Sequence, residues 1–183
     1  MVAVECIIQI GCWLEAAAGV RTCAVSDKTN AMRVLESKGI DYRVRRYELD
    51  QMDLLAERAA EALGTPPEQV FKTLVALGDS SGPLLVLVPA GTQVELRLLA
   101  EASGNKRVEL APQRDVLGLT GYERGAVTPL AMAKNYPVWI DETVELWEEV
   151  GISGGAAGVE ILLSPADLLA ATAARTADIA RSR

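Results

Sequence analysis

The chain has 183 residues, half of them apolar, and a formal net charge of -7. This length and apolar content are typical of one globular domain with a sizeable core, and they exclude a largely disordered chain. The acidic balance argues against a protein that coats nucleic acid with a broad basic face, although it is compatible with contact to one nucleic-acid end.

Histidine is absent from the whole sequence. This absence excludes Ser-His-Asp and Cys-His catalytic arrangements and every zinc site that needs imidazole. The three cysteines, Cys6, Cys12 and Cys23, have spacings unlike CxxC, and we interpret them as reduced thiols. We therefore expect a cytoplasmic protein without metal or cofactor.

Residues 1–28 are predicted to form an N-terminal extension of unknown role, and residues 29–183 a single domain. The first 24 residues are apolar, but no Lys or Arg precedes the apolar stretch and Glu5 and Glu15 flank it. This pattern does not favour a secretion signal. No apolar run reaches the roughly 18 residues that a spanning helix needs, so we expect no membrane partner.

The first half of the domain alternates short helices and strands. Residues 30–39 are predicted to form a helix that is capped by Asn30 and stops at Gly39. Residues 41–50 are predicted to form an exposed strand, and residues 51–64 a second helix that ends at Gly64. A turn capped by Thr65 follows. Residues 73–78 and 83–90 are two apolar runs separated by DSSG, which predicts a central hairpin of buried strands.

The second half continues the mixed pattern. Residues 95–105 and 112–121 are predicted to be helices on either side of a short strand at 106–111. Strands are predicted at 136–144, 146–152 and 159–164, before a last helix that is capped by Ser164 and runs to residue 181. Single crossovers mixed with hairpins predict an α/β fold with a mixed sheet in one domain.

One lysine and two glycine-bearing loops are the candidates for a functional site. Lys72 lies just inside the apolar run VFKTLVALG, where its ammonium must reach either water or an anion. The loops LTGYERGAVTP and GISGGAAG could turn backbone N–H groups towards an anion or an oxyanion. Taken one at a time, such loops are more often ordinary turns and such a lysine is more often a solvated surface residue. Neither loop fits a nucleotide-binding fingerprint.

The ordered set of motifs, however, resembles the YbaK family of aminoacyl-tRNA deacylases and the editing domain of bacterial prolyl-tRNA synthetases. The set is RRYELD, QVFKTLV, LTGYERGAVTPL, ISGGAAGVEI, SPADLL and TADIAR, and it spans residues 29–183. The resemblance implies a single YbaK-like domain with a central mixed, partly barrel-like sheet surrounded by helices. It also implies hydrolysis of mischarged tRNA, in the first place Cys-tRNA(Pro).

The resemblance further implies the site residues. The catalytic set is Lys72, Gly121, Ser153, Gly154 and Gly155, and the substrate-binding set is Tyr47, Phe71, Thr73, Tyr122 and Glu160. Glu160 stands where relatives often have aspartate. The expected partners are the 3′ end of an aminoacyl-tRNA and a prolyl-tRNA synthetase.

The missing catalytic base is compatible with this family. In cysteinyl-tRNA the substrate thiol can attack its own ester carbonyl, so that the protein has only to orient the ester and stabilise the oxyanion. Two alternatives remain open at this point: an alanyl-tRNA deacylase of the same fold, and a module that binds tRNA or a synthetase without catalysis.

Overall fold

The computed structural model describes residues 28–47 and 56–182. Residues 1–27 of the predicted N-terminal extension, residues 48–55 between the first strand and the second helix, and residue 183 lie outside these ranges. The described helices are α1 (Asn30–Ser37), α2 (Ala56–Leu63), α3 (Leu96–Ser103), α4 (Gln113–Thr120) and α5 (Pro165–Thr172). None of them is long and apolar enough to cross a membrane.

The strands are β1 (Arg43–Arg46), β2 (Val70–Gly78), β3 (Gly82–Pro89), β4 (Thr92–Val94), β5 (Val108–Leu110), β6 (Val138–Asp141), β7 (Val150–Ser153), β8 (Val159–Leu163), β9 (Arg175–Ala177) and β10 (Ala180–Ser182). Eight of them form one sheet in the order β1-β8-β7-β2-β3-β6-β9, with β5 also paired to β2. Strands β4 and β10 form a separate pair. The predicted mixed α/β architecture is thus confirmed.

The hairpin of β2 and β3 lies at the centre of this sheet. The two strands are antiparallel from Phe71 opposite Pro89 to Gly78 opposite Gly82, and β3 is almost entirely buried. Strand β7 runs parallel to β2, and β6 runs parallel to β3. The hairpin was predicted from its two apolar runs, and its burial follows because it has strand neighbours on both sides and packed side chains on both faces.

The core divides between the two faces of β2. Phe71 and Val75 point into the larger cluster with α1, α5 and β8, whereas Ala76 packs with α3 and β3 in a second cluster. This alternation follows the two-residue period of a strand. Lys72 and Thr73 therefore point to opposite faces of the same strand.

Three local predictions were wrong. Thr29, not Asn30, caps α1, since its hydroxyl accepts from Met32 N. The residues after Thr65 form a short 3₁₀ turn (Pro67–Gln69) without a side-chain cap, and Thr65 Oγ1 is buried without a hydrogen-bond partner. The segment 146–152 begins in a 3₁₀ turn, and only Val150–Ser153 is strand.

The last predicted helix was too long. It ends at Thr172, and Ala173 follows in the left-handed region with φ 51°. The chain then forms β9 against β6 and β10 against β4. Because strand pairing with distant residues decides this segment, its helix-forming alanines did not predict its structure. The cap of the helix was predicted correctly, since Asp167 N donates to Ser164 Oγ at 3.1 Å.

Candidate active site

A cavity of about 620 Å³ opens beside β2. Its wall is largely apolar, with a few polar side chains from several elements. Six of the ten residues predicted for the site line it: Tyr47, Phe71, Lys72, Thr73, Ser153 and Glu160. Among them, Phe71 is almost completely buried in the core. A cavity of this size and composition is typical of a small-molecule site.

The cavity lies at a gap in the sheet. Pairing of β2 with β7 ends at Phe71, and pairing of β2 with β5 begins at Ala76. Ala90 N donates to Val70 O on one edge of β2, and Ala111 N donates to Val75 O on the other. Because backbone groups alternate along a strand, Thr73 turns its N–H and C=O towards the gap.

Lys72, Ser153 and Glu160 lie in one row across three strands. Ser153 is the register partner of Glu160 in β7 and β8. Phe71 pairs with Ile152, and continuing this parallel register by one residue places Lys72 beside Ser153. Residues that are neighbours across strands project to the same face of a sheet. The fold thus brings together three of the residues that the sequence motifs indicated.

The Lys72 ammonium is held by the backbone. Its Nζ donates to Thr92 O at 2.5 Å, at the start of β4. The preceding turn is fixed to α2, because Gly91 N donates to Glu57 Oε1 at 3.0 Å. The Lys72 side chain thus lies along the cavity wall, and its ammonium is bonded to a backbone carbonyl. This hydrogen bond explains how a lysine is accommodated in a buried apolar run.

Glu160 is the most deeply buried charged group of the site. Its side chain is 6% exposed, and Tyr47 OH donates to its Oε1 at 3.5 Å. Oε2 has no hydrogen-bond partner within the described part of the chain. Burial raises the pKa of Glu160 to about 8, although the hydrogen bond from Tyr47 acts in the opposite direction. Burial and the negative charge of Glu160 also raise the pKa of Tyr47.

Thr73 is a second polar group without a partner. It is 9% exposed, and Oγ1 makes no hydrogen bond to any described residue. Buried polar atoms are usually satisfied in native proteins, so two such atoms in the wall of one cavity are informative. They indicate that the cavity is shaped for a polar ligand.

The predicted glycines lie beside the cavity and do not line it. Gly121 ends α4 in the left-handed region, and its N–H donates to Leu117 O. Gly154 N donates to Val159 O at 2.8 Å, and Gly155 N donates to Ser153 Oγ at 3.3 Å. These N–H groups are already bonded within the protein, so in this conformation they do not point at a ligand.

Tyr122 supports the same loops. Its hydroxyl donates to Leu130 O at 3.0 Å, and its ring lies 3.2 Å from the position of a Cβ added to Gly155. Burial raises the pKa of its hydroxyl. Tyr122 therefore lies behind the cavity wall, where it packs the LTGYERGAVTP loop against the GISGGAAG turn.

Some lining residues were not predicted. Arg124 and Gly125 line the cavity from the loop after α4, and Glu57 and Thr92 line it near Lys72. Gly125 N–H makes no hydrogen bond to another described residue. The glycines of the loop were a signal for this region, but nothing in the sequence could indicate a contact between Glu57 and a turn 34 residues away.

No group of three or more acidic, cysteine or histidine side chains within residues 28–47 and 56–182 could hold a metal ion.

The sequence of this chain is similar to those of known proteins. A family model described as "Aminoacyl-tRNA editing domain" matches residues 54–171. The chain is 36% identical to the "Putative Cys-tRNA(Pro)/Cys-tRNA(Cys) deacylase EbsC" of Enterococcus faecalis, over 83% of this chain and 93% of that protein.

Two solved structures share the fold. One is the crystal structure of a hypothetical protein, with a TM-score of 0.77 and 26% identity over 84% of this chain and all of that one. The other is "a putative trans-editing enzyme for prolyl tRNA synthetase", with a TM-score of 0.72 and 29% identity over 86% of this chain and all of that one. Each of these two structures matches more than four fifths of this chain.

Proposed function

Because the chain belongs to the family of aminoacyl-tRNA editing domains, we propose that it is a trans-editing deacylase that removes cysteine from mischarged tRNA(Pro). The observation that carries this proposal is the cavity at the gap in the sheet, where Lys72, Ser153, Glu160 and Tyr47 meet. The similarity to the deacylase of Enterococcus faecalis supports the choice of cysteine and tRNA(Pro).

The lining of the cavity supports a substrate-assisted reaction. The described lining residues include no cysteine, and the sequence has no histidine. Ser153 Oγ is engaged by Gly155 N–H without a neighbouring imidazole to activate it. In cysteinyl-tRNA the substrate brings its own nucleophile. Its thiol loses a proton, sulfur bonds to the ester carbon, and the ester C–O bond breaks as the ribose oxygen takes up a proton. The products are a cyclic thioester and tRNA with a free terminal hydroxyl.

In this scheme the protein orients the ester and stabilises the charge on the carbonyl oxygen. The candidate donors to the oxyanion are the backbone N–H of Thr73, which the strand register turns towards the gap, and that of Gly125, a lining residue whose N–H has no partner among the described residues. Lys72 would exchange the Thr92 carbonyl for the terminal phosphate or ribose of the tRNA. The sequence motifs had indicated the glycine N–H groups of the GISGGAAG turn as donors to the oxyanion. Those of Gly154 and Gly155 are bonded within the protein, so we assign this role to Thr73 and Gly125 instead.

A synthetase partner is part of the proposal. The net charge of -7 is unfavourable for independent binding of a whole tRNA. We therefore expect prolyl-tRNA synthetase to supply the selectivity for tRNA, and the protein alone to deacylate Cys-tRNA(Pro) and Cys-tRNA(Cys) at similar rates. A strong preference for one tRNA without synthetase would contradict this part.

The test is deacylation of Cys-tRNA(Pro) and Ala-tRNA(Pro) by the purified protein and its Lys72→Ala variant. We expect cleavage of the cysteine ester and a loss of about 100-fold or more in the variant, the usual effect of removing one charge-stabilising group. Lys134→Ala is the control, because Lys134 is an exposed lysine that does not line the cavity.

Preferential cleavage of the alanine ester would change the assigned substrate, since alanine has no thiol and water must then attack. Cleavage of neither ester above the buffer rate would refute the enzyme and favour a binding module.

A further inference from the structure

Glu160 is a buried acceptor without a matching cation. Its carboxylate is 6% exposed, it receives one hydrogen bond from Tyr47 OH, and its Oε2 has no partner among the described residues. A carboxylate buried in this way destabilises the fold unless something compensates it. The retained carboxyl group is therefore better explained by a ligand than by stability.

Two cations lie in the same cross-strand row as this carboxylate, and neither forms an ion pair with it within the described residues. Lys72 lies in the same row across the sheet, but its ammonium donates to Thr92 O. Arg45 is the register partner of Glu160 in β1, and its side chain is exposed to solvent. Burial dominates the pKa of Glu160, and the one effect opposing it comes from the neutral hydroxyl of Tyr47. The carboxylate has an open position for a cation that comes from the cavity.

We propose that Glu160 binds the α-ammonium of the aminoacyl group, and that the protein therefore selects esters whose amino group is free. This inference rests on the proposed deacylase function. The α-ammonium is the cation of the aminoacyl group of cysteinyl-tRNA, and a cation at Oε2 favours the ionised form of a carboxyl group that burial alone disfavours, whereas a neutral hydroxyl or thiol does not. The ammonium and the ester carbonyl share one carbon, so binding at Glu160 directs the ester towards Ser153 and Lys72 in the same row.

The tyrosine contact supports this geometry. Tyr47 OH occupies Oε1, which fixes the carboxyl group and leaves Oε2 for the ligand. A charge-assisted hydrogen bond from an ammonium to Oε2 would complete the site. One consequence concerns selectivity: peptidyl-tRNA, whose amino group is an amide, would lack the cation and would be spared.

The experiment compares two esters of the same tRNA. The first is Cys-tRNA(Pro), and the second is 3-mercaptopropionyl-tRNA(Pro), which keeps the thiol and the ester but has no amino group. For each ester the rate with protein is divided by the rate in buffer, so that the different intrinsic reactivities cancel. Because the second ester is smaller than the first, steric exclusion cannot explain a difference.

For the natural protein we expect the acceleration to be about 10- to 100-fold larger with the amino group than without it, the effect of one charge-assisted hydrogen bond. In the Glu160→Gln variant the two accelerations should become similar, because the amide keeps the shape and loses the charge. Glu101→Gln is the matched control, since Glu101 is exposed on α3.

The outcomes separate this inference from the proposed function. Equal acceleration of both esters by the natural protein would overturn the ammonium site and leave the deacylase function intact. Persistence of the full difference in a folded Glu160→Gln variant would also overturn it. Cleavage of neither ester would refute the deacylase function and, with it, this inference. The comparison within the natural protein decides the question even where the variant does not fold.

Discussion

The cavity and the glycine turn beside it differ in whether their polar groups have hydrogen-bond partners within the protein. In the cavity wall, Glu160 Oε2 and Thr73 Oγ1 are buried without partners. In the turn, Gly154 N and Gly155 N are bonded to Val159 O and Ser153 Oγ. Both regions carry motif residues, yet these two N–H groups of the turn are used within the protein, whereas the two oxygen atoms of the cavity wall have hydrogen-bonding capacity left for a ligand.

This difference shows how to separate a binding surface from its support. Polar groups that the fold leaves unsatisfied reduce stability, and a ligand can satisfy them. Groups that the fold satisfies keep the surface in shape. Substitutions in the cavity should therefore lower activity while they maintain or raise stability, whereas substitutions in the turn should lower stability first.

The largest expected effect is on the pH dependence of stability through Glu160. Burial raises its pKa from 4.5 to about 8. Below pH 4.5 the carboxyl is protonated in both the folded and the unfolded state. Between pH 4.5 and 8 the unfolded state ionises first, so the free energy of unfolding falls as the pH rises, and above pH 8 the loss is complete.

In the Glu160→Gln variant this loss should disappear. The difference between variant and natural protein should grow from near zero at pH 4 to as much as about 4 kcal/mol at pH 8, in favour of the variant. Urea unfolding at several pH values measures it. A constant difference across this range would mean that the carboxyl titrates normally and that the contrast between the two regions is weaker than described.

The next effect tests the turn. A Cβ at position 154 would lie 2.8 Å from Val159 Cγ1 and 3.2 Å from Val159 O, and the backbone oxygen cannot move without breaking β8. Gly154→Ala should therefore lower the free energy of unfolding by about 1 to 3 kcal/mol. Gly118→Ala is the control, because a Cβ there meets nothing within 4 Å inside α4, and it should raise stability by about 0.5 to 1 kcal/mol.

Thermal unfolding measures both glycine variants. The folded fraction of Gly154→Ala should keep most of its deacylase activity, since Gly154 does not line the cavity. A stable but inactive Gly154→Ala protein would show that the turn takes part in binding, as the motif first indicated.

The sequence predicted the fold more reliably than the arrangement of the site. The hairpin of β2 and β3, the helices α3 and α4 and the cap at Ser164 follow from local patterns, and each was confirmed. The strands β9 and β10 were missed because their partners, β6 and β4, are distant in the sequence. Local propensity favours a helix there, and tertiary pairing overrides it.

The site shows the same limit. The motifs predicted that Lys72, Ser153 and Glu160 belong together, and the registers of β2, β7 and β8 place them in one row. They could not show that Lys72 Nζ donates to Thr92 O, because this contact depends on the position of a turn. Nor could they show the gap in β2 pairing, since a missing strand neighbour leaves no pattern in the sequence.

The smallest expected effect concerns Thr73, and it tests whether an unsatisfied group in the cavity wall has a function. Valine has nearly the same shape as threonine, so Thr73→Val removes the buried hydroxyl without creating a cavity. Because Oγ1 has no partner among the described residues, the free energy of unfolding should rise by about 1 kcal/mol, whereas loss of a bonded hydroxyl would lower it.

Thr128→Val is the matched control, because Thr128 is fully buried and its Oγ1 accepts from Leu130 N. If Thr73→Val is more stable and deacylates more slowly, the hydroxyl binds the substrate. If the variant is more stable and equally active, the hydroxyl only destabilises the fold, and of the two unpartnered groups in the cavity wall Glu160 alone binds the substrate.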